Sequence, residues 1–396
     1  MSNDEVFNDE QMEDSLEDLE KVDNWANGAV LWSTDWTAET VISQLNRNNI
    51  DLDPSFQRRS AWTDKKQSLF IESLILGLPI PQLILAEAHG KKGSFIVIDG
   101  KQRLLAIRRF GSSSSDGGFT PLQLKGLSEL KQLNGKTYND LMSDPNLDDF
   151  RSAFENSSIR TIVIRNWQNE SYLYEVFLRI NTGSVQLSPQ ELRQALHPGP
   201  FSTFINDASG DSPGIRKALN LKAPDFRMRD AEILLRFLAY RNFIKTYNGN
   251  LKFFLDETTR KLNLEWENRE IEIKDQCTEM ENAFSFTENI FTKKHYLRKW
   301  NGNNFESRKN RAIFDIMLYY FSFPELRERL EGKESEIENR FKFACDNNSD
   351  FLSSIENTTK SIEANQCRFN VWGDILSDIS GLNLDHLKFS VRDGNH

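Results

Sequence analysis

Cysteine is scarce in this sequence. Cys277, Cys345 and Cys367 are odd in number, widely spaced, and form no C-x-x-C pair. That excludes a disulfide framework and fits a reducing cytoplasm. Long apolar runs are also missing: no stretch of about 18 uncharged apolar residues occurs, which argues against a membrane-spanning helix. The chain opens on acidic and polar residues, so no secretory leader is expected. Histidine is sparse as well; His89, His197, His295, His386 and His396 are scattered, and no two have the spacing of a helical metal pair. The fragment Asn134-Gly135-Lys136-Thr137 has the ending of a P-loop, but Leu130 stands where the first glycine is required, and no strand precedes it.

What is present is ample apolar material. With 396 residues, 38% of them hydrophobic and 28 of them Phe, the chain has enough to bury for two domains of ordinary size. The net charge of −10 is misleading as a whole. Residues 1–23 carry ten acidic groups against Lys21 alone, and without them 49 acidic residues face 48 basic ones. An acidic run of this kind is read as a solvated disordered tail, here residues 1–28, with a partner-binding or DNA-mimicking arm as the alternative. A neutral body does not advertise strong non-specific DNA binding, although a local basic patch stays open.

Along the chain, Thr34 or Asp35 is placed to cap a helix bearing Val41, Ile42 and Leu45. Pro54 biases residues 50–59 toward an extended path. Thr63 caps a helix that runs to about Leu76 and stops at Gly77. Short strands are expected at 80–86 and 94–98 around the turn at 89–93, a helix from Gln102 to Phe110, a Ser/Gly loop at 111–118, a strand at 158–164 and a helix at 171–180. Beyond Ser188 the amphipathic runs at 227–244, 268–291, 308–321 and 325–345 predict a second, all-helical domain. The expected organisation is α+β over residues 29–198 followed by helices over 199–396.

Three segments carry chemistry. In Val97-Ile98-Asp99-Gly100-Lys101-Gln102-Arg103 a β-branched strand ends in Asp-Gly and a helix begins at once. Such a turn aims backbone N–H groups at whatever lies above it, and Arg103 adds a planar fork suited to phosphate. Asp99 can hold a metal ion or polarise a water. An ordinary strand–turn–helix with a surface Arg explains the same residues. In Phe177 to Glu191, Ser188 and Glu191 have capping-box spacing, with Pro189 at the first helical position. Asn181, at a helix end, is a candidate Mg²⁺ or phosphate ligand. In Phe56-Gln57-Arg58-Arg59-Ser60-Ala61-Trp62 the two arginines can grip an anion beside an aromatic ring.

Taken in order, and with Leu78-Pro79-Ile80-Pro81 between them, these segments resemble the N-terminal domain of GmrSD-type restriction endonucleases. That domain is marked by an Asp-Gly-Gln-Gln-Arg motif and belongs to the ParB/sulfiredoxin-like superfamily. Phe226 to Glu232 and Phe253-Phe254-Leu255 look like the helical region that follows it, so the resemblance covers about residues 30–260. It implies a nucleoside-triphosphate-binding module of a bacterial restriction or phage-defence system, hydrolysing or sensing, with Mg²⁺ as cofactor. Carried over by position, Asp99, Gln102 and Arg103 form the catalytic turn, and Arg58, Lys101 and Arg179 contact the nucleotide. Asn181 and Asp99 serve the metal; the spacing of Asn181, Leu187, Pro189 and Glu191 is similar to the Asn-x5-Leu-x-Pro-x-Glu of ParB proteins. Lys101 departs from the usual first Gln of the motif, and Ser184 stands where ParB proteins carry an Arg. Many relatives add an HNH nuclease half, for which the scattered histidines offer no centre. DNA and a partner nuclease are therefore the expected macromolecular partners. A non-enzymatic DNA- or protein-binding module on the same scaffold is the alternative.

Overall fold

The computed structural model describes residues 28–50, 52, 59–111, 118–168, 170–180, 188–356 and 359–389. They fall into two compact units, one ending at Leu196 and one beginning at His197.

The first unit is built on a four-stranded sheet: β1 (Val30–Thr37), β2 (Leu83–Glu87), β3 (Phe95–Asp99) and β4 (Ser158–Arg165). The spatial order is β1-β4-β2-β3. β1 and β4 are antiparallel, β2 and β4 parallel, and β2 and β3 an antiparallel pair. Side chains alternate across the pleat, so one face receives Leu83, Leu85, Val97, Ile159 and Val163 and the other Ile84, Ala86, Ile98 and Ile164. The first face is covered by α1 (Ala38–Asn46), α2 (Asp64–Ile75), α3 (Lys101–Phe110) and α5 (Asp148–Glu155), the last reached through the short α4 (Tyr138–Ser143). The second face is covered by α6 (Glu170–Ile180) and α7 (Pro189–Leu196), which supply Tyr172, Leu173, Phe177 and Leu192. The unit is thus three layers deep, α+β with the sheet in the middle.

Most expected elements stand within a few residues of their places. Thr63 does cap α2, its hydroxyl accepting from Lys66 N, and Gly77 follows it at φ +67°. The first helix is a correction: Thr34 and Asp35 lie inside β1, paired with Thr161 and Arg160, and the cap is Thr37, which accepts from Thr40 N. Pairing with β4 consumes the backbone groups that a helix starting at 34 would need. The acidic tail, the extended stretch at 53–58 and most of the Ser/Gly loop lie outside the described residues.

In the second unit, helices α8 (Pro200–Asp211), α9 (Pro213–Ala218), α10 (Arg229–Phe243), α11 (Leu251–His295), α12 (Arg311–Phe321), α13 (Pro324–Leu330), α14 (Glu334–Asn347), α15 (Ser349–Glu356) and α16 (Ile362–Ser380) surround an apolar core. Two expectations fail. The run 325–345 is two helices, because Gly332 at φ +79° breaks it. The unit is also not all helical: β5 (Arg298–Trp300) and β6 (Phe305–Lys309) form a hairpin. Its turn is closed by Asn301, whose side chain accepts from Asn303 N and Asn304 N, with Gly302 at φ +90°.

The core of this unit is charged as well as apolar. Arg236 on α10 makes a two-pronged pair with Asp315 on α12, both contacts 2.6 Å, and one turn back Glu232 pairs with Arg311. Arg368 of α16, fully buried, reaches Asp315 at 3.4 Å and donates to Thr359 O at 2.6 Å. Burial works against the Arg236 charge, but Asp315 overrides it and raises the pKa further. Removing one partner of such a set strands the others in low dielectric. Asp315→Asn is therefore expected to cost about 3–5 kcal/mol in denaturant unfolding.

In the first unit a buried carboxylate ties the loop at 128–130 to α2. Glu72 accepts from Ser128 N, Ser128 Oγ, Glu129 N and Leu130 N at 2.8–3.1 Å. Burial would raise its pKa, but the backbone hydrogen bonds from Leu130, Ser128 and Glu129 prevail, and the carboxyl is held below the ordinary range. The folded pKa lies under the unfolded one, so the stabilisation is present above about pH 4.3 and fades as pH falls through the folded value. The wild-type unfolding free energy should fall more steeply with acid in that window than that of Glu72→Gln, and parallel curves for the two proteins would count against the assignment.

Candidate functional site

The strand–turn–helix at 95–110 is organised by one residue. Between the end of β3 and the start of α3 only Gly100 intervenes, at φ 103° and ψ 12°. A side chain is excluded there twice. The left-handed backbone disfavours it, and a Cβ would fall 2.4 Å from Leu83 Cδ2 and 3.2 Å from an Arg103 guanidinium nitrogen. The chain turns in one step, and the first turn of α3 faces outward with N–H groups that no preceding turn can accept.

Arg103 lies folded back against this turn, only 7% exposed. It donates to Asp99 Oδ2 at 2.7 Å and to Gln82 O at 3.1 Å, while its Nε, also buried, has no partner. Gln102 is half-buried, and its Oε1 accepts from Ser60 Oγ at 3.0 Å and from Trp62 N at 3.3 Å. Gln67 Nε2 supports Ser60 from α2 at 3.2 Å. Trp62 packs edge-on against Phe70, with Lys66 over its ring, and Trp62 Nε1 is a second buried donor without a partner. The segment after Arg58-Arg59 is thereby tied to the Asp-Gly turn. The sequence offered both pieces but no sign that Gln102 would join them.

Lys101 is placed differently from the expectation. Its Nζ donates to Glu191 Oε1 at 2.7 Å, with both side chains buried. Glu191 is at the same time half of the expected capping box: its Oε2 accepts from Ser188 N at 2.8 Å, and Glu191 N donates to Ser188 Oγ at 3.1 Å. One carboxylate therefore caps α7 and holds the first residue of α3. The Glu191 cap was legible from its spacing to Ser188; its partner 90 positions earlier was not.

Of the remaining candidates, Arg179 is exposed near the end of α6 and pairs with Glu175 one turn back. Arg58 and Asn181 lie outside the described residues, as does Ser184. Among the described residues, Asp99 pairs with Arg103 and Lys101 with Glu191 at this turn. No group of three or more His, Cys, Asp or Glu side chains suited to a metal occurs among the described residues. A Mg²⁺ ion carried in by phosphates would ask for only one or two protein carboxylates, and the carboxylate at the turn is Asp99, whose Oδ2 is held by Arg103.

Residues 39–198 match the family described as GmrSD restriction endonuclease, N-terminal domain. No curated protein and no solved structure matches the chain. The matched residues take in β2, β3 and β4, the Asp-Gly turn and α7, and this stretch of the chain is similar to that family's domain. No helix among the described residues is long and apolar enough to cross a membrane.

Gly100→Ala should lower the thermal midpoint more than Gly90→Ala. Gly90 also has a positive φ, +74°, but nothing lies within 4 Å of its added Cβ. The Gly90 change then reports backbone strain alone, about 1 kcal/mol, and the excess at Gly100 reports the collision with Leu83 and Arg103. Equal midpoints would show that the turn tolerates a side chain.

Proposed function

From that similarity we propose that the Asp99–Arg103 turn binds the phosphates of a nucleoside triphosphate with Mg²⁺, and that binding or hydrolysis reports to a partner nuclease in a restriction or phage-defence system. The observation that carries the reading is Arg103: a guanidinium more than nine-tenths buried, anchored by Asp99 and Gln82, with a donor left over beside a helix N-terminus. Other buried arginines also keep an unmet nitrogen, Arg236, Arg311 and Arg368 among them; what distinguishes Arg103 is its place at a glycine turn and a helix N-terminus, where an anion would be met by oriented donors.

In this reading Arg103 neutralises phosphate charge while Asp99 keeps its fork oriented and takes the metal. Gln102, already fixed by Ser60 and Trp62, orients an attacking water or a phosphate oxygen. Mg²⁺ would supply charge neutralisation between phosphate oxygens. Arg58 and Asn181 enter as further ligands by the resemblance of their positions, and Arg179 as the substitute for the Arg that Ser184 replaces. The scaffold is assigned to the ParB/sulfiredoxin-like type on the same ground. A second reading is favoured by the balanced charges of the turn: with Lys101 spent on Glu191, the site has less to offer a triphosphate, and the scaffold then serves as a DNA- or protein-binding module.

Calorimetric titration of ATP, GTP, CTP and UTP, each with Mg²⁺, separates the two. Saturable binding of at least one nucleotide is expected, and Arg103→Ala should weaken it about 10- to 150-fold, as the loss of one charge-assisted contact predicts. A folded wild type that takes none of the four overturns the nucleotide reading.

A further inference from the structure

The helices α3 and α7 lie on opposite faces of the sheet, as their core partners show: Leu104, Leu105 and Ile107 pack with Leu83, Leu85 and Val97, whereas Leu192 packs with Ile84 and Ile98. The Lys101–Glu191 contact therefore reaches around the end of β3 and joins the two covering layers. We propose that this pair is a positioning strut for the Asp99–Arg103 turn, and that Lys101 is not a phosphate ligand; the proposal rests on the nucleotide reading above.

Three features support it. The side chains are only 10% and 5% exposed, so neither charge has water to fall back on. The carboxylate is fully engaged, Oε1 on Lys101 and Oε2 on Ser188 N, so Lys101 cannot swing toward a phosphate without leaving a buried anion on one neutral donor. And Lys101 is the first residue of α3, so tethering its side chain fixes the rotation of that first turn. The same rotation sets where the N–H groups of Gln102 and Arg103 point. Lys101 and Arg103 are two residues apart, about 200° around the helix, so a Lys101 tied to α7 leaves Arg103 directed back over Asp99.

The two roles predict opposite behaviour at Glu191. If Lys101 were a phosphate ligand restrained by Glu191, then Glu191→Gln would free it and leave affinity unchanged or tighter. A strut instead fails from either end. Titration of the full chain with the Mg²⁺ complexes of ATP, GTP, CTP and UTP should show Lys101→Met and Glu191→Gln each weakening binding by a similar factor, about tenfold, with the double variant no worse than either single. Lys101→Arg, which keeps the charge and reach, should recover most of the affinity and serves as the folding control. Hydrogen exchange supplies a readout free of nucleotide: the amides of Ser188 and of Gln190 to Leu192 should exchange faster in Lys101→Met than in wild type. Weakening in Lys101→Met alone, with Glu191→Gln at wild-type affinity or tighter, overturns the strut and makes Lys101 a ligand. Wild-type binding with both variants also at wild-type affinity overturns the strut while leaving the nucleotide reading intact. If wild type binds none of the four, both fall together, even where exchange shows that the pair orders α7.

Discussion

The tip of the first unit is governed by a steric constraint: a strand becomes a helix across a single residue, and that residue must adopt a left-handed backbone with Leu83 pressed against it. Nothing bulkier than glycine fits, so the geometry downstream has little latitude. The helix begins in one direction, its first side chain goes over the strand end to the opposite layer, and its third folds back to the strand. Gln102, between them, takes the segment at 60–62. Four pieces of chain are gathered within one helical turn, through side-chain hydrogen bonds of three successive residues.

Electrostatics in the molecule follow the same economy. Buried charges are met by specific partners: Glu72 by three backbone amides and a hydroxyl, Asp315 by two arginines, Glu191 by a lysine and an amide. Such groups gain little stability over apolar substitutes, but they penalise any arrangement that separates them. Their contribution is to uniqueness of packing, which an uncharged core of this composition would enforce less strictly. Single donors are still left over, on Arg236, Arg311 and Arg368 in the second unit and on Arg103 and Trp62 in the first, where Gln102 ties the Trp62 backbone to the helix that carries Arg103.

Local signals in the sequence were legible where the chain resolves its own conflicts. Thr63 as a cap, Gly77 as a stop, Asp99-Gly100 as a turn and Ser188 with Glu191 as a capping box all concern atoms within a few residues of one another, and those are the readings that stand. Thr34 and Asp35 failed as caps because β4, more than 120 residues later, pairs with them. Nothing near them announces it. The hairpin at 298–309 was hidden for a related reason: its strands are short and half-buried, and only Asn301-Gly302 marks the turn. Lys101 illustrates the wider limit. Its residue type at the start of a helix after an Asp-Gly turn suggests a phosphate ligand, yet where its charge goes is decided by a carboxylate on another layer of the fold.

Helices α10 and α12 run in the same direction, with Glu232 facing Arg311 and Arg236 facing Asp315 one turn further on. The order of signs along one helix is the reverse of that along the other. A slide of one turn either way sets Glu232 against Asp315 or Arg236 against Arg311, like charge on like in a buried site. The pairing therefore behaves as a ratchet with a single tooth engaged. Gliding of these two past each other, a common way for helical proteins to change state, is electrostatically barred, which leaves motion of the packed helices together or local opening.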